Sequence, residues 1–163
     1  MTKISRCPST LKDGFSEYSP SAKQSLFDGK SVSCILPYLP PSSSEKAKTQ
    51  FLENRKVLSI SGAQEKFGII QKKNKLILSV QGEQSTHILK PQVRDLPNGD
   101  QTCANEHLTM QIASQIFGIK TASNAICFFQ NGTPAYITRR FDVTKNGKLK
   151  MEDFASIIGK TPN

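Results

Sequence analysis

No stretch of this sequence approaches the ~18 consecutive apolar residues of a membrane-spanning helix, and its start, Met1-Thr-Lys-Ile-Ser-Arg-Cys7, lacks the apolar core of a secretory signal. A soluble, cytoplasmic protein without a membrane partner is expected. Cysteine is sparse. Cys7, Cys34, Cys103 and Cys127 stand far apart without the paired spacing of a zinc site, so no metal ligation is expected and the thiols read as buried or free. Histidine is scarcer still: His87 and His107 are scattered, which with a lone cysteine is weak ground for nucleophilic catalysis. Also missing are an internal repeat, a helix-turn-helix pattern and an aromatic-rich strand motif, and this argues against direct reading of nucleic acid.

Acids are outnumbered, 13 against 22 Lys and Arg, for a formal net charge of +9. Such a balance suits a phosphate-rich partner, nucleotide or nucleic acid. The basic residues are spread along the whole chain, however, so a solvated basic face fits equally well. With 163 residues, 36% hydrophobic and 21% charged, the chain is expected to form one compact domain with a loose terminal segment.

The pattern divides the chain into three parts. Residues 1–55 read as an irregular leader, interrupted by Tyr18-Ser-Pro, Leu36-Pro-Tyr and Pro40-Pro-Ser-Ser-Ser, with short helices near 20–28 and 43–55, the second capped by Ser43 or Ser44. Residues 56–142 alternate β-rich runs with turns: Val57–Ile60, Phe67–Ile70, Lys75–Val80, Thr86–Lys90, and then Ala125–Gln130 and Ala135–Arg140 around the hairpin signal Asn131-Gly132. Between them Ala104–Phe117 takes helical spacing, with Leu108, Ile112 and Ile116 on one stripe and Met110, Ala113 and Phe117 beside it; Gly118 is the stop. Residues 143–163 read as a connection, with a short helix beginning near Glu152. This order predicts an α+β fold: a five-stranded antiparallel sheet carrying one long helix on a face, as in the N-lobe of a protein kinase.

Three places offer chemistry. Ser59-Ile-Ser61-Gly62-Ala63-Gln64-Glu65-Lys66 lies between two β runs, where small residues let backbone N–H groups approach a phosphate; an ordinary polar turn fits the same residues. Lys90 ends an apolar strand and Glu106 follows early on the next helix, an arrangement in which a lysine neutralises phosphate oxygens and a glutamate holds it. A surface lysine and an exposed glutamate are the plainer alternative. Arg139-Arg140-Phe141-Asp142 closes the last strand, either as a hinge into a second lobe or as an edge-strand end.

Taken in order, these segments resemble the HipA family of serine/threonine kinase toxins, closest to its short HipT-like members. The resemblance runs through Ser59 to Lys66, Thr86-His-Ile-Leu-Lys90-Pro, Asn105-Glu106, Ile137-Thr-Arg-Arg-Phe-Asp142 and Glu152-Asp-Phe-Ala155, and in the leader through Cys7-Pro and Tyr18-Ser-Pro. It implies that Ser61, Gly62, Ala63, Gln64, Glu65 and Lys66 form the loop over the ATP phosphates. Lys90 would touch phosphate with Glu106 as its ion-pair partner, and Arg139, Arg140 and Phe141 would be the hinge that meets adenine through backbone groups. It further implies autophosphorylation at Ser59 and Ser61, where a phosphoserine brings roughly two negative charges into a site built for phosphate. Two positions depart from the family pattern: Arg139 replaces a Glu or Lys, and Thr10 stands where a second cysteine often follows Cys-Pro.

The family's Asp-Gly-His-x-Lys-Asn-like segment and its downstream metal-binding Asp do not occur in this sequence; the Asp100 to Asn105 spacing precedes the hinge and is coincidental. Since a kinase needs one Asp to orient the hydroxyl and acidic groups to hold Mg²⁺, these 163 residues are expected to be inactive alone. Mg²⁺ is expected only with the complete kinase, and a C-lobe from the same gene or a separate chain is the implied partner. The resemblance also implies an antitoxin of the same operon and an aminoacyl-tRNA synthetase as substrate. The alternative is a catalytically silent regulatory lobe, or an antitoxin-complex component with a basic nucleic-acid-binding surface.

Overall fold

The computed structural model describes residues 5–55, 65–80, 82–93, 97–144, 146–152 and 157–159, with side chains described for all of these except 53–55. Helix α1 (Pro20–Phe27) begins where Ser19 accepts a hydrogen bond from the Ala22 N–H at 3.3 Å and Pro20 fixes the first helical φ; it ends on the left-handed pair Asp28 and Gly29, with the Gly29 N–H closing onto the Lys23 carbonyl. Helix α2 (Glu45–Arg55) starts from Ser44, whose hydroxyl accepts from the Ala47 N–H at 3.1 Å. Helix α3 (Thr102–Gln115) follows a 3-10 turn at Gly99–Gln101.

Strands β1 (Phe67–Lys72), β2 (Lys75–Leu78), β3 (His87–Pro91), β4 (Asn124–Phe128) and β5 (Pro134–Arg139) form one antiparallel sheet in the order β2-β1-β3-β5-β4. A separate ribbon pairs β6 (Val143–Thr144) with β7 (Gly147–Lys148). The architecture is the expected α+β one. The hairpin between β4 and β5 closes at Asn131-Gly132, where Gly132 takes φ 82 and donates to the Phe129 carbonyl at 2.9 Å. The predicted strand Val57–Ile60 and residues 153–156 after Glu152 lie outside the described residues.

Period-two alternation gives the sheet two distinct faces. Phe67, Ile69, His87, Leu89, Ala125, Cys127, Ala135 and Ile137 are buried on one face, which the leader covers. Tyr18, Ala22, Leu26, Phe27, Val32, Leu36, Tyr38 and Phe51 join the apolar ones among these in a single buried cluster, with the Phe51 ring edge-on to Phe67 at 4.6 Å between centroids. Burying those eight side chains, at about 1.5–3 kcal/mol for each large one, holds the leader on the sheet. The leader also covers the outer edge of β4. Phe128 donates to the Cys34 carbonyl and Leu36 to the Phe128 carbonyl, while Ile126 donates to Pro8, so the row of polar groups on this edge is largely occupied. The leader is irregular between its two helices, as expected, and its residues 7–51 fold as part of the core.

Helix α3 packs across the other face, over β4 and β5. Here the expected core stripe is reversed: Leu108 and Ile112 are 51% and 41% exposed, and Ile116 is 74% exposed, while Cys103 and His107 are buried. The side of α3 turned to the sheet is polar because that face of the sheet is polar too. His107 donates from Nδ1 to Asn124 Oδ1 at 2.8 Å, and Gln111 Nε2 reaches the same oxygen at 3.1 Å. Because that amide oxygen takes both donors, the imidazole carries its proton on Nδ1. Burial keeps its pKa below the ordinary histidine value.

Candidate functional site

The face under α3 brings Lys90 and Glu106 together. Lys90 sits near the end of β3 with its side chain on the α3 side, one residue from Leu89, which points into the leader-side core. The start of α3 is fixed nearby: the Thr102 hydroxyl donates to the Gly99 carbonyl at 2.7 Å and accepts from the Val93 N–H at 3.3 Å. One helical turn on from Cys103, whose thiol donates to the Lys90 carbonyl at 3.5 Å, Glu106 Oε1 meets Lys90 Nζ in an ion pair. Both side chains are mostly enclosed, 21% and 28% exposed. Lys90 Nζ also lies 5.5 Å from the centroid of the buried Tyr136 ring, directly across the ladder. Burial, with Glu106 adding to it, pushes the Tyr136 hydroxyl pKa up, so the ring stays neutral.

Lys66, immediately before β1, falls on the same face by alternation. Its pKa is lowered by burial first and by repulsion from Lys90 second, with Glu106 opposing. Lys66 and Lys90 thus both lie within the field of Glu106. A bound phosphate would relieve the repulsion between them. Glu65 is exposed, and Ser59, Ser61, Gly62, Ala63 and Gln64 lie outside the described residues.

At the end of β5 the two arginines diverge. Arg139 turns to the leader side, where its guanidinium grips both carboxylate oxygens of Asp28 at 2.7 and 3.0 Å. Arg140 forms an ion pair with the buried Asp142 and donates to Ser85 Oγ at 3.0 Å. This hydrogen-bonded pairing holds the Asp142 carboxyl below its usual pKa. The backbone N–H groups of Arg139 and Arg140 are spent on the Ser123 and Thr86 carbonyls at 2.8 and 2.9 Å. Phe141, the first residue past the ladder, is 69% exposed. Asp28, Cys103 and Ser85 had no functional part in the sequence reading, and Asp142 only a place in the hinge segment. Its local signal was its place beside the two arginines.

Comparison with known proteins adds the family. The family model described as HipA-like C-terminal domain matches residues 58–163, more than half of the chain. A protein of Sinorhizobium fredii named "Putative kinase Y4mE" is 32% identical over 110 residues, 64% of this chain but 25% of that protein, so the chain spans about a quarter of the relative's length. No helix among the described residues is long and apolar enough to cross a membrane. The matched region contains the whole five-stranded sheet, α3 and the Lys90–Glu106 pair, and the chain therefore belongs to the HipA family of kinase-like proteins.

Proposed function

We propose that this chain is the ATP-binding lobe of a HipT-like serine/threonine kinase toxin acting in the cytoplasm. The observation that carries the reading is the convergence of Lys66, Lys90 and Glu106 on one sheet face, next to the segment Ser59 to Lys66. In this reading the segment from Ser61 to Lys66 covers the ATP phosphates and Lys90 neutralises them while Glu106 fixes its ammonium. The adenine would lie past the hinge strand, beside Phe141, since the amides of Arg139 and Arg140 are engaged in the sheet. ATP with Mg²⁺ is the phosphate donor of the complete enzyme. The hydroxyl-orienting Asp and the metal-holding Asp, absent from these residues, belong to a C-lobe. Autophosphorylation of Ser59 or Ser61 would place negative charge against Lys66 and Lys90 and compete with ATP. By the family resemblance, the complete kinase phosphorylates an aminoacyl-tRNA synthetase and is restrained by an antitoxin.

Titration of the 163-residue chain with a fluorescent ATP analogue tests this. Saturable binding is expected, weakened ~10- to 100-fold by Lys90→Ala, the loss of one charge-assisted contact. No binding at millimolar nucleotide, or full binding by the Lys90 variant, would overturn the reading. A second reading, a silent regulatory lobe that docks a separate polypeptide, is favoured by the apolar residues exposed after the hinge: Phe141, Leu149, Met151, Ile157 and Ile158. It predicts a stable complex and indifference to ATP.

A further inference from the structure

The C-terminal end of α1 is held in an unusual way for a helix of eight residues. The last carbonyls of a helix have no partners within it and carry its negative dipole end. Here side chains from three adjacent strands of the sheet receive them. Arg139 of β5 donates to the Ser25 carbonyl at 3.2 Å, His87 Nε2 of β3 to the Leu26 carbonyl at 2.9 Å, and Gln71 Nε2 of β1 to the Phe27 carbonyl at 3.1 Å. Asp28, the left-handed residue that ends the helix, then takes the Arg139 guanidinium with both oxygens. One helix end is therefore bolted to β1, β3 and β5 at once.

The position of this bolt matters. His87 and Arg139 are directly paired across the β3–β5 ladder, and the same two strands bring Lys90 opposite Tyr136 three rungs along. Alternation puts the α1 contacts on one face and Lys90 on the other. Nothing in the α1 clamp can touch a ligand that Lys90 binds. It acts on the strands themselves: it fixes the His87–Arg139 rung, three rungs from Lys90 and the last before the chain leaves the sheet at Arg140 and Phe141. Beyond Arg139 the ladder has one more bond, Arg140 N–H to the Thr86 carbonyl, and then ends.

We propose that Asp28, acting through Arg139, is a positioning residue for the nucleotide site: the leader sets where β5 hands over to the hinge and so tunes nucleotide affinity from the opposite face of the sheet. The proposal rests on the ATP-lobe reading for its consequence, but its mechanical part, the fixing of the β5 exit, stands on geometry alone. Replacement of Asp28 removes a half-exposed surface contact, 63% exposed on the carboxylate side, and leaves the apolar core of α1 in place.

The experiment compares the 163-residue wild type with Asp28→Asn and with the reversed pair Asp28→Arg/Arg139→Asp, by fluorescent ATP-analogue titration, thermal unfolding and amide hydrogen exchange. Asp28→Asn is expected to weaken the analogue about 3- to 10-fold, a coupling typical of residues that touch neither ligand. Exchange of the Arg140 amide should quicken, Tm should shift little, and the reversed pair should recover affinity and protection. Unchanged Arg140 protection in Asp28→Asn overturns the proposal, as does a wild-type affinity in that variant. Should the wild type bind no analogue, the ATP-lobe reading falls instead, and faster Arg140 exchange in Asp28→Asn would then support only the mechanical part.

Discussion

His87 shows how one side chain can tie pH to the leader. It is 1% exposed, and its imidazole lies against the Phe27 ring with centroids 5.4 Å apart. Nε2 donates to the Leu26 carbonyl, so Nδ1 is the acceptor and the Thr86 hydroxyl, 2.8 Å away, is its donor. Burial is the main cause that pushes its pKa from 6.5 down to about 4; the Leu26 carbonyl and Asp28 oppose that fall, and Arg139 adds to it. The folded value lies below the unfolded one, so the contribution to stability is fully present above pH 6.5. It is lost as pH falls from 6.5 towards 4, because the unfolded chain takes up the proton first. The loss is on the order of 3 kcal/mol by pH 4. Urea unfolding at stepped pH should show this fall, and His87→Gln, which keeps a donor for Leu26 but does not titrate, should flatten it. An equally steep fall in the variant would move the cause elsewhere. His107, whose pKa is lowered in the same direction by burial, supplies a slope of the same sign in both proteins.

At the scale of elements, turns and strand periods were legible and the facing of α3 was not. Lys75–Val80 and Thr86–Lys90 match β2 and β3 to within two residues, since β-branched runs bounded by Gly, Asn and Ser have few other uses. A 3.6-residue period, by contrast, names a stripe without naming what covers it. Leu108, Ile112 and Ile116 form the more apolar stripe, yet the sheet face beneath α3 offers Asn124, Lys90 and Thr138, and the polar side of the helix is the one that fits. The nearness of Lys90 and Glu106 was readable because both stand at element ends close in sequence. The Asp28–Arg139 clamp was not, because 111 residues separate its partners and nothing local marks either. The reversed facing has a direct test. Leu108→Gln and Ile112→Gln should each change unfolding free energy by less than ~0.5 kcal/mol, as at ordinary surface positions. A loss of 2 kcal/mol or more, about the cost of emptying a core site, would put that stripe back in the interior.

At the scale of the whole molecule, a kinase-like sheet cannot bury its second face with α3 alone. A sheet must bury its apolar face against another element, and here the family match begins at residue 58, after the leader that covers that face. Without residues 5–55 the sheet would expose Phe67, Ile69, Leu89, Ala125, Cys127, Phe129 and Ile137 together and free the β4 edge now paired with Cys34, Leu36 and Pro8. An apolar face beside an open edge strand is a template for aggregation. A chain trimmed to residues 56–163 is therefore expected to be insoluble or oligomeric on size exclusion, whereas the 163-residue chain is not. Within the intact chain, Phe51→Ala removes the ring that joins α2 to Phe67, Tyr38 and Phe129 and should cost about 3–5 kcal/mol. If the trimmed chain were instead monomeric and as stable as the longer one, the leader would be an appendage. The shared core, with Phe51 in van der Waals contact across it, requires the opposite outcome.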